Sequence, residues 1–95
     1  MPAYIVAQIN VTDPTKYQEY VKLAGPAGAK YGGKFLVRGG AKTTLEGDIP
    51  FSRIVVQEFA DVAAAKRFYN SPEYQAARKH RLGAADFHMV ILEGA

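Results

Sequence analysis

From Ala3 to Val11 the chain alternates, with Ala3, Ile5, Ala7, Ile9 and Val11 on the odd positions and Tyr4, Val6, Gln8 and Asn10 on the even ones. Period two predicts a strand with one face buried. Asp13-Pro14 then supplies an N-cap and a first helical residue, and Tyr17, Tyr20, Val21, Ala24 and Tyr31 recur near one face at helical spacing. The spacing predicts a helix to about Tyr31, with Gly25-Pro26 as a candidate kink and Gly32-Gly33 as the left-handed exit.

Lys34 to Arg38 reads as a second strand, continued by Ala41 to Glu46 beyond a bulge at Gly39-Gly40. Gly47-Asp48-Ile49-Pro50 is turn chemistry, and Arg53 to Phe59 completes a hairpin. Asp61 caps a helix from Val62 to about Asn70, Ser71-Pro72-Glu73 opens another that carries Tyr74, Ala77, Arg78, Arg81 and Leu82, and Phe87 to Glu93 is the last strand. Strand, helix, two strands, helix pair, strand is the order of an α+β, ferredoxin-like βαββαβ domain, an antiparallel sheet with its helices on one face.

Alternation sorts the strand side chains into two sets. Ile5, Ala7, Ile9, Phe35, Val37, Val55, Phe59, Phe87, Met89 and Ile91 are apolar and are expected under the helices. The other set mixes Val6, Leu36, Ile54, Val56, Val90 and Leu92 with Tyr4, Gln8, Asn10, Arg38, Glu58, Asp86 and His88. Helices on one face alone would leave those aliphatic side chains in water, so a second copy is expected to cover them. Stacking two such sheets makes a barrel-like homodimer with polar residues at its mouth.

Length and composition narrow this further. Ninety-five residues suffice for a single domain spanning 1–95, and the absence of cysteine excludes disulfides, thiolate metal sites and thiol nucleophiles. Twelve Lys plus Arg against nine Asp plus Glu leave a net charge of +3, too small to argue for nucleic acid. The six tyrosines and five phenylalanines fall on core stripes and are not interleaved with a basic surface. No apolar run approaches the roughly 18 residues of a membrane span, and the start of the chain lacks a basic-then-apolar leader. The expectation is a soluble cytoplasmic protein that binds neither nucleic acid nor membrane.

Asp13-Pro14 with Tyr17 and Tyr20, the run Gly32-Gly33-Lys34-Phe35-Leu36-Val37-Arg38-Gly39-Gly40, Leu45-Glu46-Gly47-Asp48, Arg53-Ile54-Val55-Val56-Gln57-Glu58-Phe59 and Ser71-Pro72-Glu73-Tyr74 together resemble the domain of unknown function family DUF1330. The resemblance covers nearly the whole chain in order. It implies membership of the dimeric α/β-barrel superfamily, hence a ferredoxin-like protomer that dimerises through its sheet. Cofactor-free monooxygenases, lactone isomerases, haem-dependent chlorite dismutases and stress-response proteins share that superfamily, so fold alone does not select a chemistry.

Among candidate groups the strongest pair is Arg38 with Glu58. A bulged residue at Gly39-Gly40 would bring them face to face on the open side of the sheet, with Tyr4, Gln8, Asn10 and His88 as neighbours from the first and last strands. An arginine oriented by a carboxylate is a two-point anchor for a substrate carboxylate or enolate, and equally a structural ion pair at an interface. His88, the one histidine on a strand, has the chemistry to move a proton near neutral pH or to serve as a polar rim residue. Tyr20 can donate its phenol to a developing oxyanion, whereas Tyr17 is expected to pack its helix onto the sheet. Arg81 belongs to the basic run Arg78-Lys79-His80-Arg81 but falls on the inner stripe, within reach of a ligand carboxylate.

His80 and His88 match no metal-ligand spacing, Ser71 sits in a cap and not in a nucleophile elbow, and the glycine pairs lack the spacing of a phosphate loop. No metal or cofactor is therefore expected. The leading expectation is a small-molecule-binding protein, extending to a metal- and nucleotide-independent enzyme of monooxygenase or isomerase type acting on a small carbonyl, phenolic or carboxylate compound. The alternative is a non-catalytic homodimer used in stress response or protein interaction.

Overall fold

Each helix starts at the capping side chain the sequence supplies, as a computed structural model describing residues 1–95 shows. Asp13 accepts from the Lys16 amide at 3.1 Å, Asp61 from Ala64 at 2.7 Å and Ser71 from Tyr74 at 3.1 Å. Each cap satisfies a backbone donor that the first turn leaves without a partner. The elements run β1 (Ala3–Val11), α1 (Pro14–Lys30), β2 (Lys34–Arg38), β3 (Arg53–Phe59), α2 (Val62–Tyr69), α3 (Pro72–Arg81) and β4 (Ala85–Glu93). The strands form one antiparallel sheet in the order β2-β3-β1-β4, which is the ferredoxin-like arrangement.

Burial follows the alternation in β1. Ala3, Ile5, Ala7 and Ile9 are buried beneath the helices, joined by Phe59 from β3, Ala64, Ala65 and Phe68 from α2, and Tyr74 and Ala77 from α3. At about 25 cal/mol per Å² of apolar surface, such buried rings and aliphatic chains each contribute on the order of 1.5–3 kcal/mol, the main force holding helices to sheet. Pro26 lies inside α1 without ending it. The far end of α1 is tied to α3 by the Lys30–Glu73 ion pair and by the Tyr31 hydroxyl, which donates to Glu73 Oε1 at 2.8 Å.

The β2–β3 hairpin departs from expectation. Its bulge lies between Phe35 and Val37 and not at Gly39-Gly40, so Val37 pairs with Val56 and Arg38 with Val55. One residue of slip exchanges faces. Val37 therefore joins Val6 and Val56 on the open side, and Arg38 turns to the side that the helices cover. Ala41 to Glu46 form no strand: residues 39–52 are an irregular exposed loop. Asn10 staples it to β1, its Nδ2 donating to the Pro50 carbonyl at 2.7 Å and its Oδ1 accepting from Ser52 N at 2.9 Å. Side-chain bonds to the loop backbone replace the strand ladder there, which local propensity alone does not reveal.

The open face stays apolar and wet in the single chain. Leu36, Val37, Val90 and Leu92 are between 44% and 52% exposed, beside half-buried Val6, Ile54 and Val56.

Candidate functional site

The cavity that carries chemical groups lies between α1 and the sheet, on the covered face. It holds about 60 Å³ of water-accessible space, room for a few water molecules at roughly 10–15 Å³ each. Aliphatic and aromatic groups of β1, β3, β4 and α1 make most of its wall. The polar exceptions are Arg38, Arg53, Gln57 and the phenols Tyr17, Tyr20 and Tyr74. Neither a carboxylate nor an imidazole lines it.

Strand parity explains this set. Arg53, Val55, Gln57 and Phe59 share one side of β3, opposite Ile9, Ala7, Ile5 and Ala3 of β1, and the bulge adds Arg38 next to Val55. Arg38 and Arg53 are thus diagonal neighbours across the β2–β3 ladder, about 7–8 Å apart at the backbone. The Arg38 guanidinium lies 4.4 Å from the centre of the Phe35 ring, and that of Arg53 packs over Gly39, where φ is 72° and a Cβ would strike it. No side chain neutralises either arginine, since the molecule's ion pairs are Lys22–Glu19 and Lys30–Glu73. Arg53 Nε is moreover buried without a hydrogen-bond acceptor.

The phenols of Tyr17 and Tyr20 are neutral donors. Tyr20 and Tyr74 share a hydroxyl–hydroxyl hydrogen bond of 2.9 Å. Burial pushes the Tyr20 phenol well above its usual range, and the Tyr74 hydroxyl beside it adds to the effect. Burial also raises Tyr17, against which the nearby Arg53 guanidinium acts. Neither phenol is a base at neutral pH; both can donate to an oxyanion. Arg81 is only 8% exposed, with its guanidinium 4.0 Å from the Phe87 ring centre and 5.9 Å from that of Tyr20. It contacts Phe87 and Tyr20 as a cation over their rings, an interaction worth about 0.5–2 kcal/mol, and does not line the cavity.

The pairing of Arg38 with Glu58 is corrected by this geometry. Glu58 lies on the open face, opposite Tyr4 and Lys34, while Arg38 faces the helices. His88 and Gln8 are cross-strand neighbours on that open face, and the imidazole packs edge-on against Phe51 at 5.0 Å. Tyr4 packs beside Gly94 at the chain end, and both polar atoms of Asn10 are engaged by the loop. Arg38 and Tyr20 share the cavity; Glu58, His88, Tyr4, Gln8 and Asn10 are on the opposite side of the sheet. The cavity also holds Arg53 and Gln57, which the sequence motif reading does not single out; their parity with Val55 and Phe59, polar side chains on an otherwise apolar strand face, is the signal that marks them.

A ferredoxin-like domain with an arginine-bearing apolar cavity defines the class. The chain belongs to the family described as Domain of unknown function (DUF1330), which matches residues 2–95. No functionally curated protein matches it. Among solved structures, the RPA0582 protein of unknown function from Rhodopseudomonas palustris is 24% identical with a TM-score of 0.79, covering 99% of this chain and 82% of its own. A dimeric ferredoxin-like protein of unknown function from Jannaschia sp. CCS1 is 14% identical with a TM-score of 0.79, covering 99% and 100%. SnoaB, a cofactor-independent oxygenase from Streptomyces nogalater, is 13% identical with a TM-score of 0.66, covering 99% and 93%. At these identities the shared property is the fold. No helix is long and apolar enough to cross a membrane.

Proposed function

We propose that this protein is a homodimer that binds a small organic anion in the cavity beneath α1, with Arg38 and Arg53 holding the oxyanion. The observation that carries this reading is two guanidiniums without counter-charges, exposed Arg38 and half-buried Arg53, on the wall of a cavity otherwise lined by apolar groups, phenols and one carboxamide. Planar forks of this kind bind carboxylates and enolates at two points, and an apolar setting strengthens the attraction. With no carboxylate or imidazole on the wall, the ligand must arrive ionised, as a carboxylate, an acidic phenolate or the enolate of a 1,3-dicarbonyl. Tyr17 and Tyr20 then serve as neutral donors to the same or a neighbouring oxygen. The likeness to SnoaB supports extending the reading to cofactor-independent chemistry on such an electron-rich anion.

Titration calorimetry with acetate and with its neutral counterpart acetamide, both of a size the cavity holds, tests the site. Acetate binding that Arg38→Met and Arg53→Met each weaken about tenfold is expected, since a hydrogen bond to a charged group is worth about 1.5–3 kcal/mol before solvent screening. Equal binding of acetamide, or indifference to both substitutions, refutes it.

The dimer rests on the open face, whose Leu36, Val37, Val90 and Leu92 are too exposed for a lone chain of this size. Dimeric relatives of the same fold support that arrangement. In it Glu58, His88, Gln8 and Tyr4 belong to the seam between sheets and not to the ligand. Sedimentation of the wild type as a dimer and of Val90→Lys as a monomer is expected; a wild-type monomer at micromolar concentration overturns this part.

A further inference from the structure

Arg81 is the only charged residue buried in the molecule, and neither ion pair includes it. It follows Tyr74 and Ala77 along the inner stripe of α3, so helical spacing carries its stem inward from the last turn. Its Nε is buried without an acceptor, and its guanidinium lies 4.0 Å from the Phe87 ring centre and 5.9 Å from that of Tyr20. Buried cations are ordinarily paired, because the charge has lost its water. The negative faces of the two rings and the carbonyl end of α3 compensate part of that loss, and the carbonyl end is shared with Arg78, Lys79 and His80 of the same turn. A cation that keeps no counter-charge in an apolar core exerts a field that water and salt screen little.

That field falls on the donors of the cavity. Phe87 and Tyr20, the two rings the guanidinium lies over, both line it. Burial raises the Tyr20 and Tyr17 phenols, and the Arg81 charge opposes the rise in both. In the 2.9 Å bond between the Tyr20 and Tyr74 hydroxyls either oxygen can donate. With Tyr74 as the donor the Tyr20 hydrogen is free, and a hydroxyl that already accepts one bond donates the next more strongly.

Building on the anion site proposed above, we infer that Arg81 is a positioning residue for it: without touching the ligand, it fixes the Tyr20 ring and strengthens the Tyr20 hydroxyl as a donor to the bound oxyanion. The charge of Arg81 is what the site uses, and Tyr20 is the group through which it acts.

Calorimetry with acetate on the wild type, Arg81→Met, Arg81→Lys, Tyr20→Phe and the Tyr20→Phe/Arg81→Met double variant tests the inference. Arg81→Met is expected to weaken acetate about fivefold, within the range of a cation–aromatic interaction, and Arg81→Lys, which keeps the charge, to recover most of that loss. In the Tyr20→Phe background Arg81→Met is expected to change acetate affinity by less than about twofold, because coupled residues are not additive. Acetate binding to the wild type that Arg81→Met leaves unchanged overturns the role of Arg81 and leaves the anion site standing. Equal losses in Arg81→Met and Arg81→Lys, or a loss undiminished in the Tyr20→Phe background, overturn it too, since packing alone would then account for the effect. Should Arg81→Met fail to fold, nuclear magnetic resonance of the wild type decides: saturating acetate is expected to shift the Tyr20 ring and Arg81 Nε–H signals together, and a stationary Arg81 signal overturns the coupling. Absence of acetate binding to the wild type defeats the anion site itself, and this inference with it.

Discussion

Replacing Tyr20 by phenylalanine isolates one interaction at the centre of the molecule. Its hydroxyl meets that of Tyr74 at 2.9 Å, Tyr20 is 7% and Tyr74 1% exposed, and neither hydroxyl has another side-chain partner. Tyr20→Phe keeps the ring, and so its edge contacts with Tyr74 at 6.1 Å and Phe87 at 5.7 Å between centres, but leaves the Tyr74 hydroxyl unpaired in the core. An orphaned buried hydroxyl costs about 1–3 kcal/mol. The adjoining cavity can admit a water to the exposed side of the pair, which places the expected cost at about 1–2 kcal/mol for Tyr20→Phe and the same for Tyr74→Phe. The double variant removes both polar groups together and is expected to cost well under the sum, giving a coupling energy of about 1–2 kcal/mol. Urea denaturation of all four proteins at one fixed protein concentration measures this, the fixed concentration being needed because dimerisation shifts apparent stability. Additive effects, or singles below about 0.5 kcal/mol, would show that the hydroxyl pair contributes nothing to the core and refute the reasoning.

Gly33→Ala places a Cβ 2.8 Å from Phe59 Cζ, a ring only 1% exposed, and is expected to lower stability by about 1–3 kcal/mol in the same urea assay. Lys30 and Tyr31 hold the Glu73 carboxyl down to about 2. Because that value lies below the unfolded one, the unfolded chain binds more protons between about pH 4.5 and 2, and the contribution, complete above this window, is lost as pH falls through it. Glu73→Gln should flatten that acid limb in stability curves taken between pH 6 and 2; an unchanged limb would remove Glu73 from its cause. Asn10→Ala frees the Pro50 carbonyl and the Ser52 amide and is expected to speed both hydrogen exchange and protease cleavage within residues 40–50 while leaving β1 exchange slow.

Much of this architecture is local and was readable along the chain. Asp13, Asp61 and Ser71 determine where helices begin because a cap needs only a side-chain oxygen a few residues from the amides it serves. Alternation in β1 determines its buried face, and the apolar residues of the opposite set already call for a covering partner. What the chain order left undecided was register. Paired glycines advertise a bulge at Gly39-Gly40, yet the slip falls at Phe35/Val37, because the pairing that serves both Phe35 against Gln57 and Val37 against Val56 is chosen by contacts across the sheet. That single-residue shift carries Arg38 through the sheet, away from Glu58 and into the cavity with Arg53, Gln57 and the tyrosines. Side-chain identity along the strands thus determined which groups were available for chemistry. Which of them meet was decided only when non-local pairing assigned each to a face.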